Sequence, residues 1–166
     1  MAAKFVKPPG FSYWNAERIQ RVEKIKPLAL EEPAPVSLRD PKLGRLALDR
    51  GLGAFVGKRG RAELFVDRRA SGPLPSAAAR VLAIEAELSV IRAAIAKRLL
   101  RLYNDTWRES SRELDARAFD RRLVLSSIWV GATRTTLNFE SGHLFGDHGV
   151  EVRLSARGAI REILIA

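Results

Sequence analysis

Hydrophobic positions along this chain change period several times, and each change marks an element. From Leu43 the period is two: Leu46 and Leu48 alternate with Arg45, Ala47 and Asp49, and Ala62, Leu64 and Val66 share one face of a later run. Gly51, Gly53, Gly57 and Gly60 punctuate the interval, which also holds the short extended piece Ala54-Phe55-Val56. About three short strands are predicted there, followed by a loop from Arg68 to Pro75. The period then lengthens: Val81, Ile84, Leu88, Ile91, Ile95, Leu99 and Leu102 recur at spacings of three and four, with Ser76 as the expected N-cap. One long helix is predicted. Leu82, Ala86, Val90 and Ala94 widen its apolar face, so it should lie against a sheet with a further partner beyond.

Asp115 is the predicted N-cap of a shorter helix ending near Arg122, with Leu114 and Phe119 at the two positions of a hydrophobic staple. A strand meander follows over Leu123–Val130, Arg134–Phe139, Gly149–Leu154 and Ile160–Ile165. In the third of these, Val150, Val152 and Leu154 alternate with Glu151 and Arg153, so one face is buried and the other wet. The expected fold class is α+β: an antiparallel sheet packed against one long helix, with a short helix at its edge. Residues 1–42 read differently. They hold six of the eight prolines, which leave room for one short helix between Asn15 and Lys26. This stretch is expected to be a proline-rich arm before a single domain at 43–166, and Phe5, Phe11, Tyr13 and Trp14 make it apolar enough to dock on its own domain or on a partner.

Composition narrows the classes of function. Cysteine is absent, which excludes disulfides and thiolate metal sites. The start, Met1 to Pro9, lacks the apolar core of a secretory signal, and no run approaches the roughly 20 apolar residues of a membrane span. A cytoplasmic protein without a membrane partner is expected. The net charge of +10 invites a nucleic-acid reading, through Arg59, Arg61, Arg68 and Arg69 near the strands and Arg98 and Arg101 on the helix. Against it, arginine outnumbers lysine 22 to 7, as a GC-rich genome alone would produce, and residues 123–166 carry as many acids as bases.

Two clusters offer chemistry. Asn104, Asp105, Thr106 and Trp107 sit where the long helix ends; Asn and Asp favour helix exits for local reasons, while a cleft lined by Asn104 and Asp105 with Trp107 as a platform is the functional alternative. Glu140, His143, Asp147 and His148 form the second cluster and include both histidines. They could bind a divalent ion or shuttle a proton, yet their spacing matches no standard metal motif. Catalysis would require His148 within hydrogen-bond reach of Asp105. No cofactor motif is present, because Gly51 to Gly60 fits neither a phosphate loop nor a dinucleotide fingerprint.

Three blocks, Leu43 to Gly57, Leu102 to Glu109 with its Leu-Tyr-Asn-Asp-Thr-Trp run, and Gly142 to Val150, together resemble an uncharacterised bacterial family, domain of unknown function 2262. The resemblance covers about residues 43–166. It implies a compact α+β domain without established activity, sometimes encoded among toxin and immunity systems. The chain departs from that pattern at Ala54, where an aromatic is common, and at Arg134-Thr135-Thr136, a hairpin that is often more acidic. The leading expectation is a non-enzymatic protein-binding module, with an accessory or immunity role within that class, contacting a protein or itself through the arm and through Asn104, Asp105, Trp107, Phe145 and His148. Inhibitors of nucleases tend to be acidic, so a partner of this basic chain should itself present an acidic surface. Nucleic-acid association is second. A metal-dependent hydrolase using His143, Asp147, His148 and Asp105 is third.

Overall fold

A computed structural model of the chain describes residues 36–69, 74–108 and 112–166. The proline-rich arm to residue 35, with its expected short helix, lies outside them. The described residues form strands β1 (Ser37–Asp40), β2 (Gly44–Asp49), β3 (Ala54–Arg59) and β4 (Ala62–Asp67). Helices α1 (Leu74–Ala86) and α2 (Leu88–Leu102), a π-helical turn (Tyr103–Trp107) and α3 (Ala116–Arg122) come next. Strands β5 (Val124–Val130), β6 (Arg134–Glu140), β7 (Val150–Ser155) and β8 (Ile160–Ile165) complete the order. No described helix is long and apolar enough to cross a membrane.

All eight strands lie in one sheet in sequence order. Six neighbouring pairs are antiparallel hairpins, but β4 and β5 run parallel, Leu64 opposite Ile128 and Val66 opposite Val130. The expected antiparallel sheet is therefore mixed. A parallel pair needs a crossover of a dozen or more residues, and the helices supply it. The sheet also begins earlier than expected: β1, inside the stretch read as arm, pairs with β2. Pro35 and Pro41 flank it, and proline is tolerated beside a short edge strand.

The single long helix is the second correction. Glu87, at φ −96° and ψ 6°, divides it into α1 and α2. Intrahelical bonds persist on either side, from Glu87 N–H to the Ala83 carbonyl and from Ile91 N–H to the Glu87 carbonyl, both 3.0 Å. The hydrophobic phase therefore runs through the break unchanged, and periodicity cannot register it. Helix α1 also starts before Ser76, because Pro75 in its first turn has no N–H that the helix would use. Of the loop expected before it, Arg68 and Arg69 form a turn, Leu74 and Pro75 belong to α1, and residues 70–73 lie outside the described ones.

Both helices pack on the sheet face that carries Leu46, Phe55, Leu64, Val66, Ile128, Val130, Leu137, Phe139, Val152 and Leu154. They contribute Ala78, Val81, Ile84, Ile91, Ile95 and Leu99 to that core. Leu88, at the break, is only half-buried. The second apolar stripe does not reach the core: Val90 is 58% exposed, Ala86 is exposed, and Leu82 and Ala94 are half-buried. The other sheet face bears a stacked pair, Phe65 and Trp129, with centroids 4.9 Å apart. Helix α3 has the expected cap: the Asp115 carboxylate accepts from Ala118 N–H at 2.7 Å, and Phe119 is fully buried. Arg92 then binds α2 to α3, its Nε donating to the Asp120 carboxylate at 2.7 Å and its Nη2 to the Asp120 carbonyl at 2.6 Å.

Candidate functional site

The end of α2 sets the geometry of the site. After Leu102 the helix widens into the π-turn, closed by the Arg108 N–H donating to the Tyr103 carbonyl at 2.9 Å, five residues back. Such turns are frequent at functional sites. The buried stripe steps from Leu99 to Tyr103, which is 5% exposed, and leaves Leu102 41% exposed. Four residues span somewhat less than one turn of the wider helix, so Tyr103 and Trp107 fall on the same side and meet one ring. Phe145 takes Tyr103 edge-to-face at 6.2 Å, Trp107 at 5.6 Å and Phe119 at 6.2 Å. Trp107 in turn stands 6.3 Å from the His148 ring.

Phe145 reaches that position because the connection between β6 and β7 folds inward. Gly142, His143 and Gly146 adopt positive φ, His143 at 64°. For a residue with a Cβ this costs roughly 1–2 kcal/mol, so the surrounding structure must hold the loop in shape. Several contacts do so. Ser141 Oγ donates to the His148 carbonyl at 2.6 Å, and His148 N–H donates to the Phe145 carbonyl at 3.1 Å. At Gly142 a Cβ would stand 3.2 Å from the Arg122 carbonyl, so the loop lies directly on the end of α3. Leu144 and Phe145 are buried, whereas His143, Asp147 and His148 stay exposed.

The expected binding residues separate into two groups. Trp107, Phe145 and His148 come together; Phe145 is fully enclosed and can act only by backing Trp107. Asn104 is a chain clamp: its side-chain amide donates to the Leu114 carbonyl and accepts from Leu114 N–H, both at 3.0 Å, closing the excursion between them. Asp105 points to solvent and pairs with Arg101 at 3.3 Å, not with His148. Among the described residues no group of three or more His, Asp or Glu side chains is placed to hold a metal ion. Glu140, His143, Asp147 and His148 instead line a shallow hollow of about 440 Å³ beside the chain end at Ala166.

The arginines named for nucleic acid do not converge. Arg59 is occupied by a fork to Glu85, with bonds of 2.6 and 2.9 Å, which holds its pKa above the ordinary guanidinium value. Arg61 and Arg68–Arg69 sit at opposite ends of β4, about 20 Å apart at the usual strand rise. Arg98 is exposed on α2 and Arg101 holds Asp105.

Arginines gather elsewhere, with one histidine beside them. Arg108, Arg112, Arg122 and His143 surround Trp107 and Tyr103 in a hollow of about 590 Å³, and among the described residues neither Asp nor Glu lines it. Arg108 reaches Glu113 at 3.4 Å outside that lining, while Arg112 and Arg122 form no ion pair among the described residues. No sequence motif marks these arginines; the one available hint is their closeness to the ends of the Trp107 turn and of α3. No family model, curated protein or solved structure matches the chain. The family resemblance therefore rests on the three sequence blocks.

Proposed function

We propose that this chain is a non-enzymatic protein-binding module whose contact centre is the Trp107 hollow and whose partner presents an acidic surface. The observation that carries this reading is the composition of the hollow. Trp107 is 36% exposed, is backed by the enclosed Phe145, and is ringed by three arginines and a histidine, with no carboxylate among the described residues of the lining. Tryptophan and arginine dominate the energetics of protein interfaces, because one supplies rigid apolar area and the other forked hydrogen bonds to carboxylates. A rim of one sign also accelerates encounter with an acidic partner. An accessory or immunity role in bacterial conflict is the narrower form of the proposal, and it comes from the family resemblance alone.

The test is affinity capture with the full chain, followed by a measured Kd for the protein retained. Trp107→Ala should weaken that Kd at least tenfold, and Arg112→Glu with Arg122→Glu should abolish binding to a partner of acidic pI. Unchanged affinity in both variants would place the contact surface elsewhere, for example on the arm. Nucleic-acid association is the second reading, favoured by the same pairing of an aromatic platform with arginines. Retention on single-stranded nucleic acid that falls steeply with salt and is lost in the double arginine variant would replace the protein partner with that one.

A further inference from the structure

Thr135 is out of place in the core. It sits on the helix-facing side of β6, opposite Val130 of β5 and Leu154 of β7, and is 1% exposed. Valine would fill the same volume. The threonine Oγ1 has no hydrogen-bond partner in the protein, the one buried side-chain polar atom so placed among the described residues. Such an orphan is destabilising, because the desolvated hydroxyl gains nothing in return, and native interiors pair the large majority of buried polar atoms.

The adjoining space accounts for it. Thr135 forms part of the wall of a hollow of about 310 Å³ between α1, the start of α2 and the turn joining β7 to β8. Ile84 and Ile91, one on each side of the helix break at Glu87, and Ala156 of the turn supply apolar walls. An apolar cavity of about 150 Å³ already admits benzene, so this one has room for a substituted ring. Glu87, Arg157 and Arg80 also line it, the last with its guanidinium turned to the Gly131 carbonyl at 2.8 Å, while the walls formed by Ile84, Ile91 and Ala156 carry no charge and suit a neutral body.

We propose that this hollow binds a small, neutral, mainly apolar molecule carrying one hydrogen-bonding oxygen, with that oxygen on Thr135 Oγ1 and its body against Ile84 and Ile91. The site is separate from the Trp107 hollow and does not depend on the reading given to it.

The experiment titrates the full, methyl-labelled chain with phenol and with benzene, which share a ring and differ by the hydroxyl. Saturable shifts of the Thr135, Ile84 and Ile91 methyl signals are expected, with phenol binding about tenfold more tightly. Thr135→Val should bring the two affinities together, and Ala83→Phe, at the exposed rim, should block both while leaving the fold intact. Failure of either probe to saturate, shifts confined to other methyl groups, or a phenol preference that survives Thr135→Val would each overturn the proposal. Tighter binding of benzoate than of phenol would overturn the neutral class of ligand.

Discussion

Phe145 is the joint between the β6–β7 loop and the helical layer, and its replacement tests the account of the site most directly. Its side chain is fully buried and receives three aromatic rings, those of Tyr103, Trp107 and Phe119, at centroid distances between 5.6 and 6.2 Å. Truncation to alanine leaves a cavity beneath Trp107 and should destabilise the domain by about 3–5 kcal/mol. Leucine retains most of the volume, and swaps of that kind usually cost less than about 1.5 kcal/mol. It also loses the ring-edge interactions, each worth about 0.5–1.5 kcal/mol beyond burial. These share a single ring and do not add in full, so about 1.5–3 kcal/mol is expected for Phe145→Leu.

Against a total stability of about 5–15 kcal/mol, both losses are measurable by urea unfolding followed by far-ultraviolet circular dichroism. The slope against urea should be unchanged, because the exposed area on unfolding barely differs. Trp107 supplies a local readout: Phe145→Leu should shift tryptophan emission to the red, and the shift should vanish in a Trp107→Phe background. A cost below about 1 kcal/mol for Phe145→Ala at constant slope would show that the three rings do not bear on Phe145, and the proposed backing of Trp107 would fail with it.

Further expectations follow from single contacts. Ile91→Asp places a carboxylate in a position 4% exposed and should prevent accumulation of folded protein, whereas Leu88→Asp, at the half-buried helix break, should leave a folded but weakened chain; equal outcomes would contradict the difference in burial between the two positions. Asp115→Ala removes the cap on α3 and should cost about 1 kcal/mol by thermal unfolding, with a null result arguing against the 2.7 Å bond to Ala118 N–H. Gly149→Ala brings a Cβ to 2.8 Å from the Phe139 carbonyl, so the β6–β7 pair must shift and about 1–3 kcal/mol should be lost; an unaffected midpoint would show that the backbone there yields freely.

Seven of the eight strands were legible, most directly where one side is buried and the other wetter, since alternation reports that: Ala62, Leu64 and Val66 are buried while Glu63 is exposed and Phe65 and Asp67 are half-buried. Strand β3, which buries the adjacent Ala54 and Phe55, was marked by the glycines around it instead. Strand β1 was not legible, since Ser37–Asp40 is too short to show a period and the prolines on either side of it resemble a tail. Strand direction was hidden for a different reason. Alternation is the same whichever way a strand runs, so the parallel pairing of β4 with β5 leaves no mark on either segment. At the site, the Leu102–Glu109 run announced itself by residue type, and Trp107, Phe145 and His148 do meet. Arg112 and Arg122 could not be anticipated: one precedes α3 and the other ends it, and only the return of that helix beside the π-turn brings both to Trp107.

The net charge of +10 has to be read through where its arginines are engaged. Arg59 fastens β3 to α1 through Glu85, Arg92 fastens α2 to α3 through Asp120, and Arg153 bridges Glu151 and Glu162 across β7 and β8. The fields of these cations are largely met by their own carboxylates, so they add less to a long-range attraction than a formal count suggests. Among the described residues Arg112 and Arg122 have no such carboxylate partner, and they share a concave surface with Trp107. The salt dependence of partner binding should therefore flatten in Arg112→Gln with Arg122→Gln and remain nearly unchanged in Arg59→Gln, which should instead lower thermal stability. If Arg59→Gln flattens it equally, the attraction comes from overall charge, and the hollow loses its claim to direct the encounter.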